Sequence, residues 1–202
     1  MREVLPELLG WWREGRPVGM ATVVATWRSA PRPAGASMLV GPDGDAVGSV
    51  SGGCVEGAVY ELAQEVVQSG RPVLQRYGIS DDDAFAVGLT CGGILDVFVE
   101  RVDPVRFAEL ADVAADVKAG RPVAVCTVIE HPDDARGGAR LVVRPEGLPM
   151  GSLGSARADD AVNVDAPATA TVQEVHQVVV HLLCAAVDVR IGAHERQVVR
   201  LS

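Results

Sequence analysis

Two cysteines in the chain each stand beside a pair of glycines, and these residues could line a ligand site. The first segment ends on Cys54 and the second begins with Cys91; the accompanying residues are Ser51, Gly52, Gly53, Gly92 and Gly93. A glycine pair lets the backbone approach a ligand closely or adopt a positive φ. Cysteine adds a soft, polarizable sulfur. Two such segments predict the lining of one pocket.

The first segment is expected to connect a strand to a helix that starts near Cys54. Such a turn can direct several N–H groups toward one point, and a helix N-terminus adds partial positive charge, so an anion such as a phosphate is expected to fit there. Pairing with the helix dipole is a sufficient explanation for Glu56. The alternative is that Cys54 is a small buried hydrophobic residue and the glycines only make the turn. The segment matches neither the dinucleotide-binding glycine fingerprint nor a P-loop.

A third informative segment, residues 27–36, carries two prolines and the arginines Arg28 and Arg32. The prolines restrict the path of the backbone, and arginine binds phosphate through a planar, bidentate fork. Both arginines are therefore candidate phosphate ligands, with two solvated loop arginines as the alternative. Cys126 lies in the middle of an apolar run and is expected in the core.

Composition restricts the class of protein. The 202 residues are 48% hydrophobic, and the formal net charge is −9. No run of lysine and arginine stands out, so no nucleic-acid partner is expected. No signal-like or membrane-spanning apolar segment is found, so a cytoplasmic protein without a membrane partner is expected. Four cysteines without a C-x-x-C pair predict neither a disulfide framework nor a metal site.

The pattern of elements predicts an α/β or α+β fold: a mixed sheet with packed helices, comprising one main domain and a C-terminal helical tail. Helices are expected at 3–14, 54–69, 104–119 and about 170–189. Strands are expected at 18–27, 36–41, 45–50, 72–77, 94–101, 123–129 and 139–144. A Gly-Arg-Pro-Val unit follows three of the helical patterns, at Gly15, Gly70 and Gly120. It predicts a helix end at a left-handed glycine and a following strand.

The three motif segments together resemble the N-terminal domain of the XdhC/CoxI family, over about residues 1–155. Family members are maturation factors for molybdenum hydroxylases such as xanthine dehydrogenase and carbon monoxide dehydrogenase. The resemblance implies binding of the molybdenum cofactor, as molybdopterin or its cytosine dinucleotide form. It also implies assistance with sulfuration of the cofactor and with its insertion into the apoenzyme. Long family members continue into a Rossmann-type domain, for which no glycine-rich strand–turn–helix unit is present here.

The remaining chain is divided into a linker, 156–169, and a helical tail, 170–202, that is similar to the last helix of SIS-fold sedoheptulose-7-phosphate isomerases. In that family the positions matching Gln173 and His181 line the active site. Eight residues apart on a helix, the two side chains would share a face. The rest of the isomerase is missing from the sequence.

Three hypotheses follow. The first is a cofactor-binding chaperone rather than an enzyme, with a molybdenum hydroxylase apoenzyme and a cysteine desulfurase as partners and homo-oligomerisation as an option. The second is a sugar-phosphate isomerase fragment completed by oligomerisation, with Gln173 and His181 as catalytic residues. The third is a scaffold that docks the hydroxylase or sulfur donor without holding the cofactor.

Overall fold

The computed structural model describes residues 1–28, 30–78, 93–160, 162 and 179–182; side chains are not described at 134 or 179–182. The chain divides into two compact units, Met1–Ala114 and Ala115–Ser202. The predicted mixed α/β class is confirmed. The division falls inside residues 1–155, which were expected to form one domain. None of the helices in the described part is long and apolar enough to cross a membrane.

The first unit contains a five-stranded sheet in the order β3-β2-β1-β5-β4, in which every neighbouring pair is antiparallel. Its strands are β1 (Val18–Trp27), β2 (Ser37–Val40), β3 (Ala46–Gly48), β4 (Val73–Gly78) and β5 (Ile94–Val102). The helices of this unit are α1 (Leu5–Arg13), after a short 3₁₀ turn at Arg2–Val4, and α2 (Glu56–Ser69). The described strands therefore form two sheets rather than the one expected: this sheet is entirely antiparallel, and the strands of the second unit form a separate sheet.

Helix α2 packs on one face of this sheet. Its buried residues Val59, Ala63 and Val66 join one hydrophobic cluster with alternate residues of the strands, among them Ala21, Val23, Leu95, Val97 and Val99. Alternation along a strand directs every second side chain to the same face. The register of β1 and β5 pairs Ala21 with Val99 and Val23 with Val97, so these residues define the face covered by α2.

The three Gly-Arg-Pro-Val connections are confirmed. The φ angles of Gly15, Gly70 and Gly120 are 73°, 68° and 65°, which is the left-handed region that glycine adopts without steric cost. At the end of α2, the N–H of Gly70 donates to the carbonyl of Val66.

Helix α3 (Leu110–Lys118) begins later than the expected start at 104. Asp103 does cap backbone N–H groups, but these belong to a separate turn. Its Oδ1 accepts from the N–H of Val105 at 3.0 Å and from that of Arg106 at 2.9 Å. Phe107 is then buried before the helix starts. The capping signal was therefore real, but the structure it caps is a turn.

The second unit contains a four-stranded sheet in the order β8-β7-β6-β9. Its strands are β6 (Ala124–Val128), β7 (Arg140–Val143), β8 (Met150–Ser152) and β9 (Val179–Leu182), and β9 pairs with β6 in the parallel sense. Cys126 is completely buried among the apolar residues of this unit, as expected. Strand β8 was not predicted, because three residues with an exposed Gly-Ser carry too little pattern.

Two further expectations for the C-terminal region are wrong where the structure describes it. Residues 156–160, assigned to the linker from their small and acidic composition, are helical. Asp159 ties them to β8, since its carboxylate accepts from the N–H of Leu153 and the hydroxyl of Ser152, both at 2.7 Å. Val179–Leu182, placed in the tail helix, forms β9, because the edge of β6 offers backbone partners to a run containing two β-branched valines.

Candidate functional site

The three motif segments reach the same end of the first sheet. Strand β1 ends at Trp27 and β2 begins at Ser37, so the arginine segment connects them at this end. Because β2 and β3 are antiparallel, the end of β3 at Gly48 returns there, and the loop of residues 49–55 follows. Strand β5 begins there immediately after Gly93. The topology therefore brings together Cys54, the arginine segment and the last glycine of the Cys91 segment.

The loop of residues 49–55 requires glycine where it begins. Gly48 has a φ of 84°. A Cβ at Gly48 would meet the carbonyl oxygen of Ser37 and would lie 2.6 Å from Cγ1 of Val4. Gly52 and Gly53, at φ 76° and 115°, also have positive φ, but a Cβ there would meet no described atom within 4 Å. Backbone conformation, rather than space, thus favours glycine at the pair beside Cys54.

The carboxylate of Glu56 lies at the point to which this loop directs its donors. Oε1 accepts from the N–H of Ser51 at 2.8 Å, the N–H of Val50 at 3.2 Å and the hydroxyl of Ser49 at 2.6 Å. Oε2 accepts from the N–H of Gly53 at 2.8 Å, the N–H of Val55 at 3.3 Å and the hydroxyl of Ser51. Glu56 is therefore the anion that the N-terminus of α2 binds.

These bonds lower the pKa of Glu56 from its ordinary value of 4.5 to about 2. Burial of the carboxyl group acts in the opposite direction and raises the pKa. The hydroxyls of Ser49 and Ser51, followed by backbone N–H groups, stabilise the charged form and outweigh the burial. Glu56 is consequently ionised at neutral pH and organises the loop as a fixed negative charge.

The two serine hydroxyls complete the network. Ser49 Oγ accepts the N–H of Gly52 at 2.8 Å, and Ser51 Oγ accepts those of Cys54 and Val55 at 3.0 Å. Every backbone N–H from residue 50 to residue 55 thus donates inside the loop. The expectation that this turn offers free N–H groups to a phosphate is wrong, because a phosphate would first have to displace the Glu56 carboxylate.

Cys54 is half-buried directly before α2. It packs against the hydrophobic cluster beneath α2, and so does Ala30 of the arginine segment. Tyr77 and Leu95, from the ends of β4 and β5 nearest the motifs, belong to the same cluster. The apolar side of the Cys54 loop is therefore anchored, and its backbone is fixed by Glu56.

The two candidate arginines differ. Arg28 is exposed and has a φ of 61°, which is uncommon for a residue other than glycine. Arg32 is half-buried and forms an ion pair with Glu3 at 2.9 Å. Nearby, the amino group of Met1 donates to the carbonyl of Gly35 at 3.0 Å, so the N-terminal residues hold the arginine segment at two points. Arg28 is the arginine more available to a ligand.

Several predicted site residues lie outside the described residues, namely Cys91, Gly92 and Gln173. Gly93 is described and buried, and its carbonyl oxygen lies close to Gly78, where a Cβ would come within 2.6 Å of it. The convergence of Cys54 and Cys91 stays a prediction. His181 lies in β9 rather than in a helix, so the shared helical face with Gln173 is not found at this residue. Within the described chain, no group of three or more His, Cys, Asp or Glu could hold a metal ion.

Sequence reasoning missed one cluster at this end of the sheet. Arg76 of β4 forms a bidentate ion pair with Asp96 of β5, with Nε–Oδ1 and Nη2–Oδ2 distances of 2.7 and 2.8 Å. Its guanidinium lies over the ring of Trp27, 4.8 Å from the ring centroid. The available signal was Asp96 itself, a charged residue in the middle of an apolar strand.

The fold and site together define a class of α/β domain in which an antiparallel sheet carries glycine-, cysteine- and arginine-containing loops at one end. The chain belongs to the XdhC and CoxI family, whose sequence pattern matches residues 11–78 and 116–180. Cys54, Arg28 and Arg32 lie in the first matched stretch, Gln173 lies in the second, and the Cys91 segment lies between the two.

Three relatives are similar to parts of the chain. The molybdenum cofactor insertion chaperone PaoD of Escherichia coli is 43% identical over 79 residues, 39% of this chain and 24% of that protein. The uncharacterized protein YqeB of Escherichia coli is 40% identical over 83 residues, 41% of this chain and 15% of YqeB. A probable xanthine dehydrogenase subunit from Bacillus subtilis is 33% identical over 113 residues, 55% of this chain and 34% of that protein.

The fold is also seen in a solved structure. The crystal structure of a xanthine dehydrogenase from Bacillus halodurans aligns with a TM-score of 0.61 and 30% sequence identity, over 76% of this chain and 45% of that one. The present chain thus spans less than half the length of each of these proteins.

Proposed function

We propose that this protein is a maturation chaperone that binds the molybdenum cofactor and assists its sulfuration and its insertion into a hydroxylase. The recipient would be an enzyme of the xanthine dehydrogenase or carbon monoxide dehydrogenase type, and the process would take place in the cytoplasm. The observation that carries the proposal is the convergence of the Cys54 loop, the arginine segment and Gly93 at one end of the first sheet. Membership of the XdhC and CoxI family and similarity to a cofactor insertion chaperone support it.

The residues present fit the cofactor through sulfur and positive charge. When bound, the group would supply a molybdenum centre held by a dithiolene, together with a phosphate. Cys54 offers a soft sulfur of the kind that soft metals select, and Cys91 is proposed as its counterpart, two residues before Gly93 in the sequence. Arg28, with Arg32 in support, would face the phosphate. Gly52, Gly53, Gly92 and Gly93, with Ser51, would shape the backbone around the ligand.

Glu56 holds the Cys54 loop in a fixed conformation, which would suit a protein that carries a cofactor. Because six N–H or O–H groups converge on its carboxylate, the loop is held in one conformation before any ligand arrives. Holding a loop in its binding conformation reduces the entropy lost on binding. Recognition would then depend on the thiol rather than on a phosphate-binding nest.

The proposed partners are the apo-form of the hydroxylase and a cysteine desulfurase, and a homo-oligomer is also proposed. The protein acts as a chaperone in this proposal, so it would release the cofactor to the apoenzyme instead of turning over a substrate.

A binding experiment with matched cysteine variants tests the proposal. Purified chain is incubated with molybdenum cofactor released from a hydroxylase, and retained molybdenum and pterin are quantified after gel filtration. Near-stoichiometric retention is expected for the wild type, and a loss of at least tenfold in affinity is expected for Cys54→Ala. Cys126→Ala is the control, because it removes a thiol that is completely buried in the second unit.

The outcomes separate the hypotheses. Equal retention by the wild type and Cys54→Ala would overturn the role of the thiol. Association with the apo-hydroxylase that persists in Cys54→Ala, without any retained pterin in either protein, would instead favour the scaffold hypothesis.

A further inference from the structure

A β-bulge in β1 changes the direction of Trp27. Val23 pairs with Val97 of β5, but Ala25 pairs with Asp96, so Val24 is an extra residue without an opposite partner. One extra residue reverses the alternation of side chains beyond it. Trp27, opposite Ile94, therefore lies on the same face as Asp96 and Arg76, which is the face opposite to the one that α2 covers. Bulges that redirect a side chain are enriched next to functional sites.

Arg76 is held in place over this tryptophan. Two of its five N–H donors bind the carboxylate of Asp96, which is buried. The contact of 4.8 Å with the Trp27 ring is within the range of a cation–π interaction. The guanidinium is therefore oriented before any ligand binds, and its Nη1 group is not one of the two donors that bind Asp96.

Both members of the stack are open to solvent. Trp27 is 43% exposed, and the side chain of Arg76 is 60% exposed. A large aromatic residue exposed to this degree beside an ordered arginine offers a flat surface with an accessible guanidinium group. The strand ends at Trp27, and the next residue, Arg28, has the only positive φ at a described residue other than glycine. Backbone strain of this kind clusters at ligand-binding positions.

We infer that Trp27 and Arg76 form a stacking platform for a flat aromatic heterocycle that carries phosphate, on the sheet face opposite to α2. Arginine stacks on aromatic planes and binds phosphate oxygens with its remaining donors, and stacking of bases on aromatic side chains is a common means of recognition. A nucleotide and a pterin phosphate share this chemistry. The inference goes beyond the Cys54 site and needs no molybdenum.

Calorimetric titration of the full chain with matched probes tests this inference. Cytidine triphosphate and neopterin triphosphate have the same phosphate group and differ in the ring and in the group that links ring to phosphate, so they distinguish a nucleotide from a pterin. Cytidine and neopterin each supply a ring without the phosphate, and inorganic triphosphate supplies the phosphate alone. We expect one of the two complete probes to bind at least tenfold more tightly than either half, because ring and phosphate contact different parts of the platform.

Variants then locate the site. Trp27→Leu should weaken binding about tenfold or more, and Trp27→Phe should restore most of it by returning an aromatic ring. Arg76→Lys keeps the positive charge but loses the planar guanidinium group and its paired N–H donors, so it should also weaken binding about tenfold. The control is Arg71→Gln, which removes an exposed charge from the opposite end of β4 and should change the dissociation constant less than twofold. Thermal unfolding shows whether each variant is folded.

Three results would overturn the inference. The first is no heat of binding with either complete probe at millimolar concentration. The second is unchanged binding in a folded Trp27→Leu protein. The third is an equal loss in Arg71→Gln and Arg76→Lys, which would indicate general charge attraction. Loss of apo-hydroxylase association in Trp27→Leu, with neither probe bound, would identify a protein contact and also contradict the platform.

Discussion

Replacing Glu56 with glutamine tests whether its carboxylate organises the Cys54 loop. Glutamine keeps one acceptor oxygen but places an NH₂ group among the donors that now bind Oε2, including the N–H of Gly53 and the hydroxyl of Ser51. The difference between 4.5 and a pKa of about 2 corresponds to about 3 kcal/mol of preference for the charged form. Because Glu56 is partly exposed, solvent screens part of this energy, and we expect a loss of about 2 kcal/mol.

The pH dependence of this loss has a defined sign. A carboxyl group whose pKa is depressed by folding stabilises the folded state fully above its unfolded value of 4.5. This contribution disappears as the pH falls from 4.5 to about 2, where the carboxylate becomes protonated in the folded state as well. Glutamine does not titrate. The difference in unfolding free energy between the wild type and Glu56→Gln should therefore shrink across this interval.

Two measurements check the prediction. Urea unfolding at pH 7 and at steps down to pH 2 gives the difference in stability. Amide hydrogen exchange at residues 50–55 gives the local effect, and about 2 kcal/mol corresponds to roughly 30-fold faster exchange. Glu61→Gln is the control, because Glu61 is exposed on the same helix, and such surface changes usually stay within about 0.5 kcal/mol. Equal effects of the two substitutions, or a Glu56→Gln difference that is constant between pH 4.5 and pH 2, would refute the reasoning.

Three further predictions concern stability and reactivity. Gly48→Ala should lower the melting temperature, because the position has a positive φ and the new Cβ would overlap neighbouring atoms. Gly57→Ala is the control: it lies in a helix with no described atom within 4 Å of the new Cβ, so the melting temperature should stay unchanged or rise slightly. Equal shifts for the two variants would contradict this prediction. Asp116→Asn should destabilise the protein by about 1–3 kcal/mol in urea unfolding, because the buried carboxylate binds Arg121 and Arg144. Burial raises the pKa of Asp116, but the two arginines outweigh it and lower the pKa, so the stability of the wild type should decline below pH 3.8. Asp112→Asn, at an exposed position of the same helix, is the control. Burial raises the pKa of Cys126 to about 12, so Cys126→Ala should leave the number of thiols labelled in the native protein unchanged; one thiol fewer would show that Cys126 is accessible.

Local signals in the sequence predicted much of the first unit. Strand β1 was predicted at its observed bounds, and the three connecting glycines have the expected left-handed conformation. Such features depend on neighbouring residues, through alternation along a strand and through the steric freedom of glycine. Asp103 shows the limit of local signals, because the same capping residue can begin either a helix or a turn.

Features that depend on distant residues were not predicted. The pairing of Glu56 with the loop was read only as a dipole effect, since nothing in the sequence shows that six donors converge on its carboxylate. The bulge at Val24 and the bond between Arg76 and Asp96 depend on the register between strands. Strand β9 depends on the free edge of β6, over 50 residues earlier in the chain. Apolar residues near the C-terminus fit a helix equally well when that edge is unknown.

The closed network around Glu56 has a consequence for selectivity inside a cell. Inorganic phosphate, sugar phosphates and nucleotides bind to open clusters of backbone N–H groups, and under the proposed function they would compete with the cofactor for such a cluster. Because the Glu56 carboxylate already binds these N–H groups, such metabolites would have to displace it before they could bind. In the function proposed above, recognition at this loop would therefore depend on the soft sulfur of Cys54, for which such oxygen anions have little affinity.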